Sequence, residues 1–139
     1  MKRMLAVALL AAGPALAVMP MAATDPEVVE AAGLLAGQRY ELGLPLLRAA
    51  LERLPGDPDI LVYIAFAERR LGRREEAMDA YVLALSRDPN HPGALAYQGS
   101  LFLELGERAR AEANLAQLAA TCGVCSERET LSREIARAP

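Results

Sequence analysis

The sequence predicts an all-α fold built from helical hairpins that follow one another along the chain. Matching residues recur 34 positions apart, and each row of that length divides into two amphipathic stretches with helical spacing. The chain has 4% aromatic residues and no Trp, whereas Ala and Leu are abundant. Small and aliphatic side chains with this periodicity favour closely packed helices, and no segment has a pattern typical of strands.

The first 23 residues are expected to be a signal peptide. Lys2 and Arg3 precede a long uncharged run that ends in small residues. This order is typical of an export signal, with cleavage after Ala17 or after Ala23. A membrane anchor is the alternative, because a spanning helix needs about 20 apolar residues. Pro14 and the many alanines argue against an anchor, so we expect a periplasmic or secreted protein with no stable membrane span after signal removal.

The charge of the exported chain argues against nucleic-acid binding. Without the signal peptide the chain has no Lys, and its net charge changes from −3 to −5. Nucleic-acid affinity depends on neutralising phosphates, and an acidic chain has no electrostatic reason to do so. The basic run RRLGRREE is interpreted as a solvated helix end, in which Glu75 and Glu76 offset the arginines.

Turn and cap residues divide residues 24–139 into helices. Asp25-Pro26 and Asp57-Pro58 each place a capping carboxylate before a proline suited to the first helical position. Gly72 supplies the flexible position at a bend between paired helices. The sequence therefore predicts seven helices, over residues 26–38, 41–54, 58–71, 74–87, 92–105, 108–121 and 127–137.

Two helix starts depend on finer signals. Ser126 followed by Glu129 is a capping-box pattern, which would open the last helix. Pro45 lies within the second predicted helix and is tolerable in its first turn, as a start near Glu41 implies.

The middle row, residues 58–91, resembles the tetratricopeptide repeat (TPR) family, whose period is about 34 residues. The family's order of apolar, small, glycine, alanine, aromatic, alanine and proline positions is filled by Leu61, Ala65, Gly72, Ala77, Tyr81, Ala84 and Pro89. The following row keeps part of the pattern, with Leu95, Gly99, Phe102, Gly106 and Ala111. The row before it is the most degenerate.

The resemblance implies a right-handed solenoid of about three TPR-like units with a C-terminal capping helix. The repeats would occupy about residues 24–57, 58–91 and 92–125, and the capping helix residues 126–137. Such stacks have irregular terminal units, because the end repeats face water on one side.

The family binds peptides in a groove lined by the first helix of each hairpin, and this chain is expected to do the same. Carried over position by position, the groove positions are Asp59, Val62, Tyr63, Phe66, Arg69 and Arg70 in the middle row and Ala96, Tyr97, Ser100, Leu103 and Glu104 in the following row. The seven residues predicted to bind the partner are Val62, Tyr63, Phe66, Arg69, Arg70, Tyr97 and Leu103. The alternative is that Tyr63, Phe66 and Tyr97 only pack against a neighbouring helix. The family's carboxylate clamp uses Lys and Asn at such positions, and this chain does not have them there. The expected partner is an apolar or aromatic segment with one acidic residue for the arginine pair.

Residues suited to catalysis are scarce, so the chain is expected not to be an enzyme and to use no cofactor or metal. His91, in a turn between repeats, is the sole histidine, which precludes a Ser/His/Asp triad. Cys122 and Cys125 are the only cysteines, and an even pair in an exported chain is interpreted first as a disulfide. A redox site or a metal site is the alternative, whereas Ser126 stands where a haem link would need histidine.

Two other functions remain open from the sequence. The Cys-x-x-Cys pair would suit a thiol-disulfide or cytochrome-maturation factor, and the repeats would suit a structural subunit of an envelope or pilus assembly. The sequence does not identify the partner or the oligomeric state.

Overall fold

The computed structural model describes residues 24–139, which form seven α-helices in sequence order. They are α1 (Pro26–Ala36), α2 (Tyr40–Arg53), α3 (Pro58–Arg70), α4 (Arg74–Arg87), α5 (Pro92–Glu104), α6 (Arg108–Thr121) and α7 (Ser126–Arg137). The prediction of an all-α hairpin-repeat fold is confirmed, and every predicted helix is present within two residues of its expected ends. None of these helices has both the length and the hydropathy to cross a membrane. The expected signal peptide lies outside the described residues.

The predicted caps and bends set the helix boundaries. Asp25 accepts a hydrogen bond from the Glu27 N–H at 2.9 Å, and Asp57 accepts one from the Ile60 N–H at 3.1 Å. Each satisfies a backbone donor that the first turn of a helix leaves unpaired. The bend between α3 and α4 is formed at Gly72, whose φ of 81° favours glycine.

Two of the finer predictions are wrong. Because α2 already begins at Tyr40, Pro45 lies in its second turn, where its missing N–H leaves one intrahelical hydrogen bond unmade. Ser126 is the first residue of α7, and Cys125 precedes it as the N-cap residue without a side-chain cap. The Ser126 hydroxyl instead donates to the Glu127 carboxylate at 3.0 Å, so α7 does not begin with a capping box.

Small residues allow the helices to approach closely. Ala65 and Ala77 are fully buried where α3 meets α4, and the ring of Tyr81 is buried in the same cluster. At the C-terminal end Leu131 of α7 packs onto Gly99 of α5. A Cβ at position 99 would come within 2.7 Å of both Leu131 Cδ atoms, so the glycine is required for this contact.

A buried carboxylate joins the first two hairpins on the side of α3 that faces α2. Glu68 accepts hydrogen bonds from Arg48 of α2 at 2.6 Å and from Arg73, just before α4, at 3.1 Å. Arg73 also bonds to Glu41 at 2.9 Å. Two guanidinium groups therefore compensate the one buried charge.

Candidate functional site

The first helices of the three hairpins, α1, α3 and α5, line a concave cavity of about 770 Å³. The start of α2 contributes Tyr40 to its wall, and the start of α7 contributes Glu127. We call this cavity the groove. Its apolar and aromatic lining includes Leu35, Val62, Tyr63, Phe66 and Tyr97.

Three aromatic rings from successive hairpins contact one another along the groove. The Tyr40 and Phe66 centroids are 6.1 Å apart in an edge-to-face arrangement, and those of Phe66 and Tyr97 are 5.3 Å apart. Tyr63 and Tyr97 stand 34 residues apart and are equally exposed, at 37% each. The repeat therefore places aromatic faces at matching positions, where they remain accessible from the groove.

Arg70 lies at the C-terminal end of α3 and lines the groove beside Tyr40. Its guanidinium carbon is 5.8 Å from the Tyr40 ring centroid, and its Nε donates to the Tyr40 hydroxyl at 3.2 Å. Within residues 24–139 it makes no ion pair with a carboxylate. Its charge therefore remains uncompensated on the groove wall.

His91 lies at the end of the groove where α5 begins, opposite the end that contains Arg70. Its Nδ1 accepts from the Ala94 N–H at 3.1 Å, so the ring caps α5 in place of the usual carboxylate or hydroxyl. With Nδ1 accepting, Nε2 carries the proton and donates to Asp59 at 2.7 Å. This hydrogen bond ties the start of α3 to the start of α5.

Acidic groups shape the electrostatics around Tyr97. Burial raises the pKa of the Tyr97 hydroxyl, and the nearby carboxylate of Glu127 raises it further. The phenol is therefore neutral at physiological pH and available as a hydrogen-bond donor on the groove wall.

Arg69 and Leu103 lie in a second, smaller depression of about 380 Å³ that also includes Glu104. Arg69 Nε donates to Glu104 at 2.8 Å, and the Arg69 side chain is 11% exposed. Burial alone would lower the pKa of the Arg69 guanidinium, but Glu104 and the Tyr81 phenol more than offset this and raise the pKa. The expectation of an arginine pair in the groove is therefore corrected, because Arg69 is engaged within the protein.

The chain is similar in fold to three solved structures. MamA from Desulfovibrio magneticus RS-1, solved from residue 41 to its end, gives a TM-score of 0.64 at 20% identity over 68% of this chain, which spans 54% of that structure. The Yersinia enterocolitica type III secretion chaperone SycD, in complex with a peptide of the translocator YopD, gives 0.67 at 18% identity, covering 78% of this chain and 82% of that one. PcrH, in complex with the chaperone-binding region of PopD, gives 0.67 at 16% identity, covering 79% and 83%. No family model and no curated protein sequence matches the chain.

The fold is a TPR-like helical-repeat solenoid. In this TPR-like fold the concave face is formed by the first helix of each hairpin, as the resemblance implied. Five of the seven predicted site residues line it together, namely Val62, Tyr63, Phe66, Arg70 and Tyr97. Their role in binding remains a prediction.

Sequence reasoning missed several groove residues, among them Tyr40, His91 and Glu127. Tyr40 belongs to the most degenerate row of the pattern, and its place on the groove wall is shown by its ring contact with Phe66 and its hydrogen bond with Arg70. His91 forms the expected turn, and its ring also caps α5. The sequence signal for this cap is the position of His91 immediately before Pro92. Glu127 has no sequence signal, because it reaches the groove only through the packing of α7 on the last hairpin.

The cysteine pair does not line the groove. Cys122 and Cys125 are joined by a disulfide at the turn between α6 and α7, and Val124 between them is 86% exposed. Within the described part of the chain, no three His, Cys, Asp or Glu side chains are grouped so as to hold a metal ion.

Proposed function

We propose that this protein is a non-catalytic module that binds an apolar or aromatic segment of a partner protein in the groove. The observation that carries the proposal is the row of accessible aromatic rings inside a concave cavity. Concave, mostly apolar surfaces with a few polar groups are typical of ligand sites. Aromatic and Arg side chains are the usual energetic anchors of an interface.

The structural neighbours support this proposal. SycD and PcrH were each solved in complex with a segment of a partner, a YopD peptide in one case and the chaperone-binding region of PopD in the other. Binding of a partner segment in the groove requires no chemistry beyond apolar contact and a few hydrogen bonds. Among the described residues that line the groove, no nucleophile is paired with a base, since His91 is engaged with Asp59 and the backbone.

We further propose that the protein acts in the periplasm after removal of residues 1–17 or 1–23. The support is the charged, apolar and small-residue order of the N-terminus. Intact-mass measurement of the exported protein tests this. Retention of the N-terminal segment in the membrane fraction would overturn it.

The binding proposal is tested by paired variants in a crosslinking pull-down from periplasmic extract. Replacing both Phe66 and Tyr97 with Ala removes two of the three rings that contact one another along the groove. The control replaces Val82 and Leu83, which are exposed on α4 and do not line the groove. Partner capture should weaken by about tenfold or more in the first variant, which corresponds to about 1.4 kcal/mol. It should be unchanged in the control.

Helical circular dichroism separates a binding defect from a folding defect. Both variants should retain a spectrum close to that of the wild type. Unfolding of the Phe66 and Tyr97 variant would assign those rings to the core, and unchanged capture by a folded variant would exclude the groove as the binding surface.

A thiol-disulfide function is the second candidate, favoured by the exposed turn of the cysteine pair. Cys125 immediately precedes α7, and a helix N-terminus lowers the pKa of a thiol once it is reduced. Disulfide exchange with a model substrate at neutral pH would support this candidate. Full partner binding by a variant with both cysteines changed to Ser would support the groove proposal.

A further inference from the structure

Three carboxylates on the groove wall lack an arginine partner. Asp59 lies in the first turn of α3, Asp88 in the turn before α5, and Glu127 in the first turn of α7. Their hydrogen-bond donors are the His91 ring, the Asn90 N–H and the Ser126 hydroxyl, respectively. None of these donors is a guanidinium, so no arginine within residues 24–139 compensates their charge.

Two carboxylates outside the groove are paired with arginine and show the contrast. Glu68 and Glu104 are each paired with two arginines, at distances between 2.6 and 3.9 Å. Arginines are thus available for such pairing, yet none in the described part of the chain forms an ion pair with the three groove carboxylates. We call Asp59, Asp88 and Glu127 the acidic rim.

Helix dipoles compensate the acidic rim only in part. The starts of α3 and α7 each present about half a positive charge, which stabilises Asp59 and Glu127. Three carboxylates carry three negative charges, so the rim remains clearly negative. Charges beside apolar walls interact more strongly than charges in open water, because the local dielectric constant is lower.

Arg70, the one arginine among the described residues that line the groove, stands apart from the start of α3. Arg70 ends this helix and Asp59 begins it, so the two lie about 16 Å apart at a rise of about 1.5 Å per residue. Tyr63 and Phe66 occupy the turns between them. The groove is thus an apolar surface with the carboxylate of Asp59 at one end of α3 and the guanidinium of Arg70 at the other.

We infer that the groove selects an apolar segment that carries a Lys or Arg side chain at the acidic rim. This inference rests on the proposed function, because it specifies the partner of the same site. A cation there would form charge-assisted hydrogen bonds with carboxylates that no arginine engages. An acidic residue at the same place would be repelled, which gives the groove selectivity. The acidic residue expected from the sequence would lie at Arg70, at the other end of α3, and stays a prediction.

The test uses an array of short synthetic peptides that share an apolar, aromatic core and differ in charged residues. The tightest-binding peptide that contains a basic residue is resynthesised with that residue replaced by Gln. Both peptides are titrated with the protein by fluorescence anisotropy. Wild-type protein should bind the basic peptide about tenfold more tightly than the Gln peptide. Raising the salt concentration should reduce this ratio.

Two double variants test whether the carboxylates of the acidic rim cause the preference for the basic peptide. D88N/E127Q removes two rim charges and leaves the Asp59–His91 bond in place. D79N/E75Q changes the net charge equally at exposed positions of α4 that do not line the groove. The first variant should reduce the preference for the basic peptide to about threefold or less, and the second should keep the wild-type ratio.

The outcomes separate this inference from the proposed function. Wild-type protein that binds apolar peptides without a preference for basic ones would overturn the inferred role of the acidic rim. An equal loss of preference in both variants would do the same. Either result would leave the groove proposal standing. Failure of the wild-type protein to bind any peptide of the array would overturn both.

Discussion

Tyr81 and Tyr97 are the same residue type in neighbouring helices, yet they have different surroundings. Tyr81 is fully buried between α3, α4 and α5, whereas Tyr97 is 37% exposed in the groove. Burial raises the pKa of the Tyr81 hydroxyl, although the nearby Arg69 guanidinium acts in the opposite direction. The hydroxyl makes no hydrogen bond of normal geometry with any described residue.

The difference shows which positions of the repeat hold the fold together and which are free for recognition. A ring that fills the space between hairpins contributes its whole area to stability. A ring on the concave face leaves part of its area for a partner. Substitutions in the two regions should therefore have opposite consequences for folding and binding.

The largest expected effect comes from truncating the two tyrosines. Tyr81→Ala should lower the free energy of unfolding by about 3–5 kcal/mol, because it leaves a cavity among fully buried side chains. Tyr97→Ala should cost about 1 kcal/mol or less, since much of its ring already contacts water. Urea denaturation followed by circular dichroism measures both values. Equal losses would remove the distinction between the two regions.

Overpacking at the hairpin interior should have the next largest effect. Ala77→Leu inserts a bulky side chain where α4 meets α3 and should destabilise the fold by about 1–3 kcal/mol. Ala113→Leu provides a matched control, because Ala113 is exposed on α6. Thermal unfolding of the two variants compares them directly. If Ala77→Leu unfolds at the same temperature as the wild type, the hairpin is less tightly packed than the burial of Ala77 indicates.

The cysteine pair should contribute less than the hairpin interior. Changing Cys122 and Cys125 to Ser removes a small ring that stabilises the fold by about 2 kcal/mol at most in the chain-entropy model. Partner binding should be unaffected, because neither cysteine lines the groove. Loss of activity with unchanged thermal stability would instead support the redox candidate.

The smallest effect concerns acid sensitivity at the N-terminal end. The hydrogen bond from Arg53, together with backbone donors, lowers the pKa of Asp25 below its usual 3.8. A carboxyl group with a lowered folded-state pKa stabilises the fold above its unfolded pKa, and this contribution is lost as the pH falls through the folded value. Asp25→Asn should therefore make unfolding less dependent on pH below about 4. The control is Glu52→Gln, which removes one exposed carboxylate from α2. An equal change of the pH profile in both variants would contradict this role of Asp25.

The hairpin interior could be predicted from the sequence because its requirements are local. Periodicity, proline starts and bend glycines each act within one or two turns, so they set the helix ends to within two residues. Gly99 shows the limit of this reasoning. Its place in the repeat is clear from the sequence, but its contact with Leu131 depends on how α7 returns onto α5.

The groove could be predicted only in part. Val62, Tyr63, Phe66, Arg70 and Tyr97 follow from the repeat register, which fixes the direction of each side chain on a helix. The engagement of Arg69 by Glu104 and the approach of Glu127 depend on contacts between repeats. Side-chain pairing across such contacts has no signal in a single amphipathic pattern.

The stacking of the hairpins in chain order has a consequence for which helices unfold locally first. The helices α1 to α6 pack chiefly against their neighbours in the chain, α7 packs on both α5 and α6, and the middle hairpin of α3 and α4 has other hairpins on both sides. In such a linear stack, stability is roughly the sum of local units and their interfaces, so the ends should fray before the centre. Amide hydrogen exchange should therefore be slowest in α3 and α4 and faster in α1. The floor of the groove would then persist while its N-terminal wall opens and closes, which would provide a route for a partner segment to enter.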